Sequence, residues 1–135
     1  MSIDMLGRID VSEMDSATLD FYIAKALGKN AWITHVTKRC MMQVANRKDE
    51  IEYVTYEPSS RWMQGGPLIE HFEISTEYLG EHDGMPLWGA YSGYEPLGSN
   101  PTTQYGDSIL KAAMRCIVAQ TFGNKINPED HEVIL

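Results

Sequence analysis

The sequence lacks most of the short motifs that mark catalytic centres. It holds two cysteines in 135 residues, Cys40 and Cys116, far apart and outside any CxxC or histidine-rich context. A disulfide-stapled scaffold and a cysteine metal site are therefore not expected, and two buried thiols in a reducing compartment are. No GxSxG, HExxH or phosphate-binding P-loop appears. The four histidines, His35, His71, His82 and His131, are scattered. Glu70 and His71 are the one adjacent acid–base pair, and neighbours on a helix do not face each other. No catalytic residue, cofactor or metal is nominated. No apolar run approaches the ~18 residues of a membrane-spanning helix. The opening MSIDMLGRIDVSEMD carries early acids and no apolar stretch of the signal-peptide kind, so a cytoplasmic, membrane-free protein is expected.

Bases are scarce as well. Eleven Lys and Arg stand against nineteen Asp and Glu, a formal net charge of −8. A general DNA or RNA binder needs a basic footprint, so direct nucleic-acid binding is not expected. Ten of the acids lie between Asp49 and Glu95, where Arg61 is the lone base. Such a bias reads as a solvated face, or as negative charge offered to a basic partner or mimicking a nucleic acid.

What remains has ordinary globular composition, with 43% hydrophobic and 22% charged residues. That supports one domain over residues 1–135, with an extended lead-in at 1–13 and a C-terminal tail at 124–135. Ile3, Met5, Leu6 and Ile9 suit a short strand or a cover for the core. A helix capped by Asp15 or Ser16 puts Leu19, Tyr22, Ile23, Ala26 and Leu27 on one face and stops at Gly28. AWITHV at 31–36, CMMQV at 40–44 and Ile51 to Tyr56 read as three strands of an antiparallel meander. Further strands are expected at Ile74 to Leu79 and Leu87 to Tyr91, around a turn from Glu81 to Gly84. Residues 92–105 form a long loop, either functional or a variable surface excursion. A second helix runs from about Asp107 to Phe122, with Gly123 as its stop. Val133 and Ile134 of the tail are expected to dock on the domain. The fold class is then α+β: an antiparallel sheet of about four to five strands with two main helices packed on it.

The densest stretch is EPSSRWMQGGPLIEHFEI, Glu57 to Ile74. Pro58 ends the preceding strand, and Ser59 and Ser60 are turn formers. Trp62 needs a wall and a polar partner, and Gly65 and Gly66 permit positive φ or close approach. Pro67 suits the first position of a short helical turn anchored by Leu68 and Ile69. Two readings stay open. In one this is a structural corner, with Trp62 plugging the edge of the core. In the other, Arg61, Trp62, Gln64 and the glycine backbone line a binding surface. Tyr105 to Ser108 opens the second helix, where free N–H groups and the dipole favour an anion. Packed together, the two stretches would suit a nucleotide-like or carboxylate ligand, or a host protein. The candidate ligand residues are Trp62, Gln64, Gly65, Gly66, Tyr105 and Arg115. Asp107 would oppose an anion or cap the helix, and Arg115 serves equally well as an ion-pair partner for an acid. Met41, Met42 and the Trp32 strand form an apolar edge that suits a homodimer.

Three blocks carry a family resemblance: TLDFYIAKALG at Thr18–Gly28, PSSRWMQGGPLIEHFEIS at Pro58–Ser75, and Trp88 with Ala90 followed by YGDSILKAAMRCIVAQTFG at Tyr105–Gly123. On them the chain resembles the phage NinX-like family, small phage and prophage proteins of unassigned function. The sequence departs at Arg61, where many relatives have an acid, and at Asp107-Ser108-Ile109, which replaces a Thr-Pro-type helix start. The resemblance implies a phage accessory protein made in a bacterial cytoplasm and transfers no catalytic residue.

Overall fold

Asp15 nucleates the first helix, accepting a hydrogen bond from Thr18 N at 2.9 Å, and α1 then spans Ser16–Ala26. The computed structural model describes residues 3–128. The expectations for His131, Val133 and Ile134 lie outside the described residues. The sequence pattern suggested an amphipathic α1, but all seven residues from Thr18 to Ala24 are buried. The reason is that α1 is covered from two sides. It packs on a sheet and on the C-terminal helix, and a helix enclosed all round has no polar face. Each large side chain so enclosed, such as Leu19, Phe21 or Ile23, contributes about 1.5–3 kcal/mol.

The fold is α+β, but its strands divide into three antiparallel sheets where one was expected. The first orders β2 (Ala31–Ile33), β3 (Cys40–Ala45) and β4 (Ile51–Thr55) as a meander. Ala31, Ile33 and Cys40 point inward and are buried. Trp32, opposite Met41 in register, faces the other way and meets Tyr53 edge to face at 5.4 Å. The strand expected through Val36 stops at Ile33, because Thr34 N bonds Arg39 O at 3.0 Å and closes a turn. Asn46 Oδ1 ties the β3–β4 hairpin, accepting from Lys48 N and Glu50 N at 2.8 and 3.0 Å.

Helix α2 (Trp62–His71) follows, three turns where a short helical turn beginning at Pro67 was expected. Trp62 opens it and Pro67 sits inside. Gly65 and Gly66 are helical and act as no hinge. Gly65 is needed for approach: a Cβ there would lie 2.1 Å from Pro58 O and 2.8 Å from Leu110 Cδ2. Helix α2 also explains why the sheets are split. The Gln64 side-chain amide donates to Thr55 O at 3.1 Å and accepts from Glu57 N at 2.7 Å. Gln64 thus ties α2 to the end of β4, and the chain leaves the first sheet as a helix before the next strand starts a new one.

That sheet orders β5 (Ile74–His82), β6 (Met85–Ser92) and β7 (Gln104–Gly106). Glu81 and His82 extend β5, leaving a tight Asp83–Gly84 turn. The loop from β6 to β7 is built on Asn100, which is 6% exposed. Its Nδ2 donates to Ser92 O and Glu95 O at 2.6 and 2.7 Å, and its Oδ1 accepts from Thr102 N at 2.9 Å. Helix α3 (Ile109–Phe122) is capped by Ser108 Oγ, which accepts from Lys111 N at 3.1 Å, and ends at Gly123. It packs against β5, β6, β7, α1 and α2, and α1 packs in turn on β2 and β3, so the two helices together join the two larger sheets. The third sheet pairs β1 (Ile9–Asp10) with β8 (Lys125–Ile126). Ile9 is buried in it and is bridged by Ile3, so the short-strand alternative fits this end of the lead-in, while the side chains of Ile3, Met5 and Leu6 are exposed.

Candidate functional site

The β7–α3 junction is tight. A Cβ on Gly106 would fall 2.7 Å from Ala112 N, so only glycine lets β7 lie against the first turn of α3. This brings Tyr105 and Asp107 beside the face of α3 that carries Lys111 and Arg115, one turn apart. A cleft of about 340 Å³ opens there. Met85, Pro86 and Leu87 of β6 give it an apolar wall, and Ser12 and His82 complete the lining.

The electrostatics of the cleft run against the charge of the whole chain. Arg115 is half-buried. Its Nη1 donates to Tyr105 O at 2.7 Å, while its Nε is buried and makes no hydrogen bond. Among the described residues no acid forms an ion pair with it. Burial lowers the guanidinium pKa below the ordinary arginine value, and the negative charge of Asp107 acts in the opposite direction. Lys111 Nζ stands 3.7 Å from Asp107 Oδ1, a loose contact at the surface. The cleft thus holds two cations and one acid, Asp107, against an apolar wall. Two cations so placed are able to pair with a phosphate or a carboxylate.

The six residues nominated from sequence separate into two groups. Tyr105 and Arg115 line the cleft; Trp62, Gln64, Gly65 and Gly66 do not. The α2 segment does reach α3, but it does so through Gly65 packed on Leu110, so no shared pocket forms. Gln64 is spent on the β4 edge, and Gly66 lies under the Trp62 ring, its Cβ position 3.3 Å from Trp62 Cε3. Trp62 itself is 57% exposed and plugs no core edge. Glu57 pairs with Arg39 and Arg61 at 2.5 and 3.1 Å, and the Arg39 bond holds its carboxyl below the usual range. Arg61 is therefore a structural partner of Glu57. Sequence reasoning missed Lys111, whose spacing of four from Arg115 was the available signal. It also missed the Met85–Leu87 wall, which no local pattern marks.

A second perturbed group lies in the core. Asp20 on α1 is 1% exposed and accepts from Ser59 N at 2.8 Å. Burial pushes its carboxyl up to about 7, with Glu57 and Asp15 adding repulsion. Cys40 and Tyr56 are raised to about 12, again mainly by burial. This polar cluster is closed to solvent and joins α1 to the turn before α2.

Comparison with known proteins adds one finding. A family model described as Bacteriophage P22, NinX matches residues 10–121. That span runs from β1 almost to the end of α3 and includes every candidate residue named above. No curated protein matches the chain.

Proposed function

The chain belongs to the Bacteriophage P22 NinX family and is a phage accessory protein, and from that premise we propose that it binds a small anion, nucleotide-like in having a planar apolar body, in the cleft between β6, β7 and α3. The reading is carried by Arg115 and Lys111, two cations one helical turn apart that line a cleft with an apolar wall, where no acid forms an ion pair with the guanidinium among the described residues. An anionic oxygen in the cleft pairs with the outer end of the guanidinium, and Lys111 adds a second charge one helical turn away. Met85, Pro86 and the ring of Tyr105 offer an apolar surface on which a planar group can lie. The proposed role is binding, not catalysis. Ser12, the serine of the lining, donates a hydrogen bond to Asp10 Oδ1 at 2.8 Å, within the local cap of the Val11–Glu13 turn. The setting for this activity is the cytoplasm of a bacterial host.

A thermal-shift screen against nucleotides, cyclic dinucleotides and small dicarboxylates tests the proposal. A ligand at one hundred times its Kd stabilises the folded state by about 2.7 kcal/mol. The shift should vanish in Arg115→Gln, shrink in Lys111→Gln and survive in Trp62→Ala. A shift that survives in Arg115→Gln and vanishes in Trp62→Ala would move the site to α2.

A second reading draws on the exposed acids. Glu70, Glu73 and Glu77 all face solvent along the end of α2 and the start of β5. They suit a basic surface of a host protein, as an acidic interaction module or nucleic-acid mimic would. Charge reversal at these three positions should abolish capture of that partner and leave any cleft ligand bound.

A further inference from the structure

Strand β4 has an open side. Glu50 O and Tyr56 N both bond toward β3, to Asn46 N and Cys40 O at 2.9 Å each. Backbone direction alternates along a strand, so the N–H and C=O groups of Ile51, Tyr53 and Thr55 point away from β3. Only Thr55 O is taken among them, by Gln64. The side chains of this edge are apolar and exposed: Ile51 is 60% and Tyr53 63% accessible. A free edge of this kind, lacking an inward charge, a proline or a covering helix, is a template for another strand.

We propose that the occupant is a second copy of this chain, joined by antiparallel β4–β4 pairing about a two-fold axis at Tyr53. Three observations support a second copy. First, the edge is self-complementary. With Tyr53 opposite Tyr53 of the second copy, each Tyr53 N–H meets a Tyr53 C=O, and each Thr55 N–H meets an Ile51 C=O. Second, the length fits. The open edge runs from Ile51, where the Asn46–Glu50 hairpin turns back, to Thr55. Gln64 Nε2 takes one lone pair of Thr55 O at 3.1 Å, and the Ile51 N–H of the second copy meets the other, so the paired segment ends at Thr55. Third, the charges complement each other. The hairpin end carries Arg47 and Lys48 against Asp49, Glu50 and Glu52, while the Gln64 end carries Arg39 and Arg61 against Glu57. Antiparallel two-fold pairing places the net negative end of one copy on the net positive end of the other. The result is one continuous six-stranded sheet, with the Trp32–Tyr53 pairs of both copies on a shared outer face.

Sedimentation equilibrium of the full chain should give twice the monomer mass, and a monomer at about 100 µM, a concentration well above the Kd of ordinary micromolar complexes, overturns the proposal. Cysteine cross-linking then tests the register. In a hydrogen-bonded antiparallel pair the Cα atoms lie about 5.5 Å apart, inside the disulfide range of about 4.4–6.8 Å. Tyr53→Cys should oxidise to a covalent dimer. Thr55→Cys should not, because position 55 lies four residues, roughly 14 Å, from its own symmetry mate. The native cysteines are both buried and do not confound the assay. Equal cross-linking at 53 and 55 overturns the two-fold register. Tyr53→Pro removes an N–H that β3 does not use, so the fold, followed by circular dichroism, should persist while the dimer dissociates. A dimer that survives this substitution also overturns the proposal.

Discussion

The buried carboxyl of Asp20 makes stability depend on pH in an unusual direction. Most carboxylates ionise more readily in a folded protein, so acid destabilises the fold. Asp20 does the reverse. Its pKa rises from 3.8 in the open chain to about 7 in the fold, so folding takes up a proton between those values. The stabilisation linked to this group is full below about pH 4 and is lost as pH rises toward and through 7. Each pH unit across that window removes about 1.36 kcal/mol, so stability should fall by about 3 kcal/mol between pH 5 and pH 8 on account of Asp20 alone. Glu57 works in the opposite sense, since its lowered pKa gives stability that is lost only as pH falls toward its own titration. Measurements above pH 5 keep clear of it. Urea unfolding at pH 5, 6, 7 and 8 should be run on the native sequence and on Asp20→Asn. The variant keeps an oxygen to accept from Ser59 N but cannot ionise. The difference between the two stability curves should change by about 3 kcal/mol, with the native chain losing ground as pH rises. Parallel curves, or a native chain that gains ground, would refute the claim that Asp20 enters the fold protonated. Only the slope is diagnostic, because asparagine also brings two new donors into the core.

Three other outcomes follow from packing and burial. Gly65→Ala should cost about 3 kcal/mol or more in a denaturation curve, since its Cβ meets the Pro58 backbone and the Leu110 side chain in a close contact, whereas Gly66→Ala, facing only the movable Trp62 ring, should stay within about 1 kcal/mol. Asn100→Ala strips the β6–β7 loop of its hydrogen-bond centre and should cost about 2 kcal/mol, with limited proteolysis now cutting between residues 93 and 103. Cys40 and Cys116, with thiol pKa values raised to about 12 and 11, should resist Ellman's reagent at pH 8 in the folded chain, and both should react at once in denaturant.

The local signals in the sequence translated well into structure. Asp15, one of the two residues expected to cap α1, does so, Ser108 rather than Asp107 caps α3, and the β2–β4 meander and the β5–β6 hairpin appear close to their expected places. What local pattern could not convey was the surroundings of each element. Leu19, Tyr22 and Ile23 fall on a helical stripe, but the burial of their neighbours Thr18 and Asp20 depends on a sheet and a helix remote in sequence. Likewise, whether five strands make one sheet or two hangs on α2, as which the chain leaves the first sheet. The candidate site was half legible for the same reason. Tyr105 and Arg115 announced themselves by type and by a helix start, whereas Met85 and Pro86 become a wall only when β6 lies beside β7. Trp62 drew attention through its chemistry and stands exposed on a neighbouring helix.

The small β1–β8 sheet has a consequence for folding dynamics. It pairs Ile9 with Ile126 and so closes almost the whole chain into a ring through two residues on each strand. The entropy of closing a loop of over one hundred residues is about 4 kcal/mol in an unstructured chain, more than so short a ladder can repay. The pair therefore forms late, once α1 and α3 have already drawn the two ends together, and it is the first long-range contact to open. Amide exchange at Val11, which bonds Asn124 O, should report this local opening well before the amides of α1 report global unfolding.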